Sequence, residues 1–427
     1  MDNSGTQKVG AEAAFVQKGK RPRVLHAVTS AMGLCLMRGQ PEFLRQAGFE
    51  VTLISAPASD QERTFSPEDA CWVTVAIQRE IAPFQDLRAL WHLWRLMRRV
   101  RPDLTNVSTP KGGLLGGIAA WLTGVPCRFY TLRGLRLETS AGWRHRVLLL
   151  WERVACRCAH RVICVSESVR GKAVASGLVA AADAVVLGTG SSNGVDAKRF
   201  APTPQLLARA AKVRKDCGIP ADAPVVGFVG RLTRDKGLVE LVAAYSQLSE
   251  RFPALRLMLV GEFEDGDPVP ENLRRRVETD PQIVHARFAA DPAPWYHAMD
   301  VLALPSHREG FPNVVLEAGA AGKPVVAAAA TGTVDAVLDG VTGRLIPVGD
   351  ARALAKALAA LLTNKPLAAA MGRAGRERVL REFRPEIIWS ALVGEYRRML
   401  EARGLVSQET AARKQGKPLA MVIGANS

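Results

Sequence analysis

The chain has 427 residues, of which 48% are hydrophobic and 23% are charged, and its formal net charge is +16. This composition excludes a disordered or coiled-coil protein, and the length favours two globular domains over one. The amino terminus lacks the apolar core of a signal peptide, and the longest apolar stretch, "GGLLGGIAAWLTGVP", is too short to span a bilayer. We therefore expect a cytoplasmic protein.

The positive charge is concentrated in the first 200 residues, which hold 27 Lys and Arg against 16 Asp and Glu. This imbalance indicates a polyanionic partner: a phosphate-bearing substrate, an anionic membrane or a nucleic acid. Charge is the only feature that suggests a nucleic acid, because the chain has no recognition motif for one. We therefore expect no nucleic-acid partner.

Strands and helices alternate through the first half of the chain, after a leader (1–20) that we predict to be disordered. Buried strands are predicted at "RVLHAV", "VTLIS", "DLTNVS", "CRFYTL" and "RVICVS". Helices are predicted near 36–47, 86–101, 111–123 and 142–159. This alternation predicts a parallel sheet covered by helices on both faces. The stretch "GTGSSNGVDAKRFAPTP" then marks a linker.

A second alternating series follows the linker. Its strands are predicted at "APVVGFVG", "LRLMLVG", "IVHARF", "VLALPS", "PVVAAA" and "GRLIPV". We therefore predict an α/β protein with two Rossmann-like, doubly wound parallel-sheet domains, over 21–200 and 201–382, facing each other across a cleft. A helix over 383–404 is predicted to return to the first domain, and a flexible tail over 405–427 follows it.

Two predicted helices of the first half are rich in Trp, Leu and Arg. The segment "DLRALWHLWRLMRRVRP" places Leu90, Leu93, Trp94 and Met97 on one face, and "WRHRVLLLWERVACRCAHR" has a similar composition. The pattern is typical of a core-facing helix whose arginines stabilise its carboxyl end, and equally of a helix that rests on an anionic membrane. The sequence leaves both interpretations open.

A basic loop follows the strand "VVGFVG", where Arg231, Lys236 and Gly237 precede a helix. Loops that leave the carboxyl ends of parallel strands are where such sheets bind ligands. The two cations suit a diphosphate, although the loop lacks the pattern of a P-loop. A solvated basic turn is the alternative.

A second candidate anion site follows the strand "VLALPS", where the loop "HREGF" leads into a helix that begins at Pro312 or Asn313. The amides and the dipole at the amino end of a helix attract anions. Glu309 lies just before this end and Glu317 in its second turn. A diphosphate on the amides of Asn313 and Val314 would therefore have a carboxylate on each side. Each carboxylate can accept hydrogen bonds from a sugar or ribose diol.

The E-x7-E spacing of Glu309 and Glu317, with Arg231 and Lys236 upstream, resembles that of the retaining nucleotide-sugar glycosyltransferases of family 4, which have the GT-B fold. The resemblance extends over nearly the whole chain, through "TPKGGLLG", "YTLRGLRLET", "SSNGVDAKRF", "GRLTRDKG", "PSHREGFPNVVLEA" and "TGTVDAVLDGVTGRLIP". It is strongest with bacterial hexosyltransferases that build capsule, exopolysaccharide or O-antigen. It implies transfer of a sugar from a nucleotide-diphosphate donor, UDP-linked, to an undecaprenyl-diphosphate-linked glycan on the anionic inner face of the plasma membrane.

The resemblance also implies roles for individual residues. Arg231 and Lys236 would neutralise the donor diphosphate as it leaves. Glu309, the third predicted catalytic residue, would contact the transferred sugar. Glu317 would hold the ribose hydroxyls. The predicted donor-binding residues are Gly230, Gly310, Phe311, Asn313, Val314 and Glu317. No metal or cofactor is implied.

Two departures from the family pattern concern the sugar and acceptor side. Many members have a histidine in the loop after the fifth strand, where "YTLRGL" offers Arg133, and a Gly-Gly loop after the first strand, where this chain has "TSAMGLCLMRG". We assign Gly33, Arg38, Lys111 and Arg133 to the acceptor or sugar side. A plain surface arginine is the alternative for Arg133.

Other kinds of site have less support. The turn "EDGD" at 264–267 contains a D-x-D pattern, but in an acidic loop a solvated turn is favoured over a metal site. No H-x-x-x-H or C-x-x-C pair exists, and the seven scattered cysteines predict reduced thiols. Apart from a nucleic-acid binder, the alternative functions are a non-catalytic GT-B glycan-binding or activator subunit and a GT-B sugar-nucleotide epimerase.

Overall fold

The computed structural model describes residues 21–30, 32–35, 37–57, 71–77 and 82–406. Within these residues, thirteen strands form two sheets in which every strand is parallel to its neighbours. This confirms the predicted α/β class with two doubly wound domains. The predicted leader over 1–20 and the predicted tail beyond residue 406 lie outside the described residues.

The first sheet has the strand order β3-β2-β1-β4-β5-β6-β7. Its strands are β1 Arg23–Ala27, β2 Glu50–Ser55, β3 Cys71–Thr74, β4 Leu104–Ser108, β5 Cys127–Leu132, β6 Arg161–Cys164 and β7 Ala184–Val186. The chain order reverses between β1 and β4, and the carboxyl ends of parallel strands open a crevice at such a point. The sequence pattern did not predict β3 and β7, which have only four and three residues.

The helices that cover the first sheet follow the predicted alternation. They are α1 Met32–Cys35, α2 Gln40–Gln46, α3 Pro83–Val100, α4 Pro110–Leu122, α5 Gly142–Cys158 and α6 Glu167–Ala175, with a short 3-10 helix over Arg136–Thr139. The helix predicted near 36–47 corresponds to α2, and the short α1 precedes the predicted range. Both α3 and α4 begin with proline, whose missing N–H costs nothing in a first turn.

The second sheet has the order β10-β9-β8-β11-β12-β13. Its strands are β8 Val225–Val229, β9 Arg256–Val260, β10 Ile283–His285, β11 Val301–Leu304, β12 Val325–Ala328 and β13 Gly343–Ile346. The central strands β11 and β12 are buried along their whole length. Helices on both faces of a parallel sheet require such continuous apolar strands.

The helices of the second half include one that packs on the first domain. They are α7 Pro204–Asp216, α8 Leu238–Arg251, α9 Glu271–Thr279, α10 Ala293–Ala298, α11 Asn313–Ala320, α12 Thr333–Ala336, α13 Ala351–Thr363, α14 Lys365–Glu382 and α15 Pro385–Ala402. In α15, Leu392 and Tyr396 are buried in the core that contains Leu44 and Phe129 of the first domain. None of the described helices is both long enough and apolar enough to cross a bilayer.

The chain passes between the domains in two neighbouring segments. The first lies between β7 and α7, and the second between α14 and α15. The amide of Val195 in the first segment donates a 2.8 Å hydrogen bond to the carbonyl of Phe383 in the second. The two crossings are therefore bonded to each other.

The carboxyl ends of the two sheets face each other, and the loops there are in direct contact. Ser166 Oγ donates a 2.9 Å hydrogen bond to the carbonyl of Gly310, and the amide of Gly332 donates a 2.7 Å bond to Ser168 Oγ. Further bonds across this interface join Thr331 to Glu138 and Arg308 to Thr139. The predicted cleft between two facing domains is thus present, in a closed arrangement.

A buried carboxyl group links α5 to β5 in the core of the first domain. The side chain of Glu152 is 1% exposed, and its Oε2 accepts a 2.7 Å hydrogen bond from the Tyr130 hydroxyl. Burial raises the pKa of Glu152 to about 7, against the opposing effect of that hydrogen bond. Because the folded state favours the protonated form, this group's contribution to stability is complete below its ordinary pKa of 4.5 and is lost as the pH rises through about 7.

We therefore expect Glu152→Gln to flatten the pH dependence of stability. Between pH 5 and pH 8.5, the free energy of unfolding should fall by about 1–3 kcal/mol more in the wild type than in the variant, because glutamine keeps an acceptor for Tyr130 without ionising. Urea unfolding at both pH values measures this difference, with Glu386→Gln on the surface of α15 as the control. Parallel pH profiles for the wild type and Glu152→Gln would contradict the prediction.

Candidate active site

An ion pair between Lys236 and Glu309 lies at the cleft edge of the second sheet. The Nζ of Lys236 is 2.5 Å from Oε1 of Glu309, and the two side chains are 19% and 11% exposed. Lys236 follows β8 and Glu309 follows β11, and these two strands are neighbours. Because parallel strands end at the same edge of a sheet, their loops meet there, as the sequence predicted.

Backbone and side-chain contacts hold these two loops against each other. Gly237 has φ 74°, and a Cβ at this position would overlap the carbonyl of Pro305 at the end of β11. Glycine is therefore required for the loops to approach this closely. Arg308 forms an ion pair of 2.7 Å with Asp235, and the amide of Glu309 donates a 3.0 Å bond to the carbonyl of Thr331.

The amino end of α11 is part of the same edge. The helix begins at Asn313, and the first amides of any helix lack an intrahelical acceptor. Asn313 and Val314 are half-buried, and Oδ1 of Asn313 is buried without a hydrogen-bond partner among the described residues. This end of the helix can therefore offer the backbone N–H groups of Asn313 and Val314 as donors to a ligand, with the side-chain oxygen of Asn313 as an unused acceptor beside them.

Glu317, in the second turn of α11, is bonded to a tyrosine that the sequence analysis did not single out. The hydroxyl of Tyr296 in α10 donates a 2.7 Å hydrogen bond to Oε2 of Glu317. Burial raises the pKa of Glu317 to about 6, while the bond from Tyr296 lowers it. Tyr296 stands outside any motif, so only the packing of α10 beside α11 reveals its contact.

Arg231 and Gly230 lie in the loop that carries Lys236, but the Arg231 guanidinium is paired elsewhere. It is half exposed and contacts the carboxylate of Glu264. Gly230, with φ 151°, donates its amide to the carbonyl of Val260 at 2.9 Å. The structure thus joins Lys236 to Glu309 directly and holds Arg231 at the rim of the site, facing the turn 264–267.

The acidic turn 264–267 serves as a support for the basic loop. Oδ2 of Asp267 accepts a 2.7 Å hydrogen bond from the amide of Asp235, and Glu264 contacts Arg231. Across the described part of the chain, no three His, Cys, Asp or Glu side chains are grouped so that they could hold a metal ion. Metal independence remains a prediction.

Gly310 and Phe311 form the contact between this site and the first domain. A Cβ at Gly310 would overlap the carbonyl oxygen of Arg133, so the two backbones touch here. Phe311 is buried, and its ring centroid lies 5.3 Å from that of Phe383 at the second domain crossing. The predicted donor-side and sugar-side residues therefore meet at Gly310 and Arg133.

Arg133 is the predicted sugar-side residue that lies nearest to this junction. Its Nε and Nη1 are buried and have no hydrogen-bond partner among the described residues. The alternative of a plain surface arginine is therefore wrong. Gly33 lies in α1, where a Cβ would be 3.2 Å from Cβ of Val28, and Arg38 is exposed, with its carbonyl accepting a 3.1 Å bond from Asn193.

Lys111, another predicted acceptor-side residue, is paired with a carboxylate of the first domain. It is 4% exposed, and its Nζ lies 2.6 Å from Oδ1 of Asp86. This ion pair joins the first turn of α4 to the first turn of α3. The assignment of Lys111 to the acceptor side stays a prediction, and in this structure its ammonium group is paired with Asp86.

Comparison with known proteins agrees with the two-domain architecture. A family described as "Glycosyl transferase 4-like domain" matches residues 37–190, and "Glycosyl transferases group 1" matches residues 223–364. A capsular polysaccharide biosynthesis glycosyltransferase of Staphylococcus aureus, CapM, is 35% identical over 90% of this chain and 98% of its own. The chain belongs to the group 1 glycosyltransferases. It is therefore an enzyme, which confirms the predicted family and excludes a non-catalytic subunit.

Other relatives and solved structures agree with this group 1 assignment. An Escherichia coli UDP-Gal:alpha-D-GlcNAc-diphosphoundecaprenol alpha-1,3-galactosyltransferase is 25% identical over 76% of this chain and 83% of its own. HepE from Anabaena, solved with UDP and glucose, superposes with a TM-score of 0.73 at 21% identity, over 87% of this chain and 98% of HepE. WaaG, a glycosyltransferase involved in lipopolysaccharide biosynthesis, gives 0.69 at 16% identity, over 87% and 98%. The two structures establish the GT-B fold.

Proposed function

We propose that this group 1 glycosyltransferase transfers a sugar, with retention of anomeric configuration, from a UDP-linked donor to an undecaprenyl-diphosphate-linked glycan in bacterial surface polysaccharide synthesis. The observation that carries the proposal is the Lys236–Glu309 pair beside the amino end of α11, inside the closed cleft. The similarity to a capsular enzyme and to an enzyme named for a diphosphoundecaprenol substrate supports the pathway.

In this proposal the diphosphate binds between Lys236 and the amides of Asn313 and Val314. Its negative charge attracts Lys236 away from Glu309, whose carboxylate then accepts hydrogen bonds from the transferred sugar. Glu317, held by Tyr296, accepts the ribose hydroxyls. The cations and amides stabilise the charge that develops on the leaving diphosphate, and such stabilisation is usually the largest catalytic contribution.

The proposed reaction needs no separate catalytic base. The acceptor hydroxyl attacks from the face that the diphosphate leaves, and the departing phosphate oxygen takes the acceptor proton. Glu309 then remains a sugar ligand throughout. Charge neutralisation by Lys236, with Arg231 released from Glu264, takes the place of a metal ion in this proposal.

We further propose that the first domain docks on the anionic inner face of the plasma membrane through the exposed face of α3, which begins with Phe84 at the amino end of this helix, and through the amino end of α5. Helices that connect parallel strands run opposite to them, so these ends lie at the cleft edge. Phe84 is 91% exposed, Trp91 and Trp143 are also exposed, and Arg95 and Arg144 lie 5.4 and 5.7 Å from the two Trp rings. Exposed apolar rings beside cations suit an anionic bilayer.

The two faces of α3 have different surroundings. One face packs on the core of the first domain, and the proposed membrane contact concerns the opposite face. Ala89, Leu93 and Met97 are buried in the first domain. Phe84 and Trp91 project from the opposite face. Both interpretations that the sequence left open therefore apply to the same helix, on different faces.

Donor screening with the full-length chain tests the proposed transfer. UDP-, GDP- and dTDP-sugars are incubated with inner-membrane lipid extract, and nucleotide release is measured together with the anomeric configuration of the product. We expect UDP release that depends on the extract, with retained configuration. Release of another nucleotide, an inverted product, or no release from any donor would refute the proposal. Consumption of UDP-N-acetylglucosamine without the extract would identify an epimerase.

Vesicle sedimentation tests the proposed docking surface. The double variant Phe84→Ser/Trp91→Ser should bind phosphatidylglycerol-containing vesicles about tenfold more weakly than the wild type, because two apolar rings no longer enter the bilayer. Leu207→Ser, an exposed position on α7 in the second domain, is the matched control. Equal sedimentation of the wild type and the double variant would contradict the docking proposal. So would wild-type binding to pure phosphatidylcholine vesicles that equals its binding to phosphatidylglycerol-containing vesicles.

A further inference from the structure

A small polar cavity lies beside Arg133 at the cleft edge of the first sheet. Its polar lining comes from the ends of β1, β4 and β5, from the start of α2 and from the segment after β7, and it includes His26, Gln40, Asn106, Thr131 and Ser191. Nε and Nη1 of Arg133 are buried there, and neither makes a hydrogen bond to any described residue. The cavity therefore contains two hydrogen-bond donors of a cation that the described part of the chain leaves unused.

The neighbouring polar side chains are bonded to one another and not to Arg133. Oγ1 of Thr131 donates to Oδ1 of Asn106 at 2.8 Å, and Nδ2 of Asn106 donates to the Tyr396 hydroxyl at 2.6 Å. The Tyr396 hydroxyl is also within hydrogen-bond distance of Nε2 of His26, at 3.3 Å. This chain of hydrogen bonds uses the amide oxygen of Asn106 and leaves the guanidinium out.

The cavity also lacks a negative charge to balance Arg133. None of the described residues that line it has a carboxylate. Burial, followed by the charge of Arg133, lowers the pKa of His26 to about 3, so that His26 is neutral. A buried guanidinium without a partner destabilises the folded state, and an anionic ligand would remove that penalty.

Arg133 is also close to the groups that the proposed transfer uses. Its carbonyl packs on Gly310, and the preceding residue, Glu309, is paired with Lys236. The guanidinium side chain therefore extends from the junction between the donor site of the second domain and the cleft wall of the first. Both the transferred sugar and the acceptor must reach this junction if the transfer occurs in the cleft.

We propose that Arg133 binds an anionic oxygen group, a carboxylate or a phosphate, of one of the two substrates and thereby selects a substrate that is charged close to the reacting carbon. This inference rests on the proposed function. The group has two possible sources: the carboxylate of a uronic acid in the donor, or the phosphate of the isoprenoid acceptor. Both offer the charged oxygen acceptors that a guanidinium prefers.

Calorimetry on the full chain distinguishes the two sources. In the first arm, UDP-glucuronate is compared with UDP-glucose. In the second, a short-chain isoprenoid diphosphate is compared with the corresponding alcohol, with and without UDP. The proteins are the wild type, Arg133→Met, Arg133→Lys and, as the matched control, Arg352→Met on the exposed face of α13.

We expect the wild type and Arg352→Met to prefer the charged ligand at least tenfold in one of the two arms. That preference should fall to within about twofold in Arg133→Met and be partly kept in Arg133→Lys, which retains the charge without the planar fork. UDP alone should bind all four proteins equally. The arm that shows the preference identifies the source of the anion.

The absence of a charge preference from both arms, or its persistence in Arg133→Met, would overturn the inference. Thermal melting adds a second criterion: removal of an unpaired buried cation should leave the melting temperature of Arg133→Met equal or higher. A clearly lower melting temperature, or failure to fold, would mean that Arg133 has a structural role and would also overturn the inference. Binding of the charged probe without binding of UDP would refute the proposed function and leave the Arg133 site standing.

Discussion

Lys236→Ala is expected to lower kcat by about 10²–10³-fold while the protein stays folded. In the structure, the Lys236 ammonium lies 2.5 Å from Glu309 and close to the start of α11, where the proposal places the leaving diphosphate. Charge develops on that group as the bond to the sugar breaks, so the loss should appear in kcat more than in KM. Single-turnover release of UDP from the donor identified by the screen measures it.

Two further variants define what the Lys236 result means. Lys236→Arg keeps the cation and should retain more turnover than Lys236→Ala, although its planar group has a different reach. Lys356→Ala, on the exposed face of α13, removes a lysine at a distance from the site and should match the wild type. Turnover of Lys236→Ala within threefold of the wild type would reject the site.

Gly310→Ala is expected to lower kcat/KM by about 10²-fold, although the substitution adds only a methyl group. The new Cβ would overlap the carbonyl oxygen of Arg133 in the opposite domain. Gly310 does not have a positive φ, so alanine is compatible with its own backbone conformation. The strain therefore arises only where the two domains meet. We expect the variant to keep both domains folded but to hold them further apart, so that the cleft is open.

Small-angle scattering and steady-state kinetics together check the Gly310 prediction. The variant should have a larger radius of gyration than the wild type and an unchanged circular dichroism spectrum. Gly394→Ala in α15, where an added Cβ meets no neighbour within 4 Å, is the control and should retain full activity. If Gly310→Ala turned over at the wild-type rate, the closed arrangement described here would not be the reactive one.

The sequence predicts those parts of the site that depend on strand order alone. Lys236 and Glu309 each follow a buried strand, and a doubly wound sheet brings the ends of neighbouring parallel strands together. The start of α11 is a local signal as well, because Pro312 and Asn313 mark it. Both expectations follow from hydrophobic periodicity and turn-forming residues alone. The structure places Lys236 beside Glu309 and begins α11 at Asn313.

The remaining features depend on contacts between residues that are distant in sequence. Lys111 is paired with Asp86 of another helix, and no local sequence pattern indicates which helix lies beside α4. The backbone of Arg133 lies against Gly310, which belongs to the other domain. The short strands β3 and β7 were missed because three or four residues are too few to establish a period.

The paired domain crossings limit how this enzyme can open for its substrates. Val195 and Phe383 are bonded to each other, so the two covalent connections are side by side and behave as one pivot, which permits swinging and resists sliding. The ring of Phe383 also lies against Phe311 in the donor loop. Both rings are buried in the core of the second domain, so we expect the loop that carries Phe311 to move together with that domain when the angle between the domains changes.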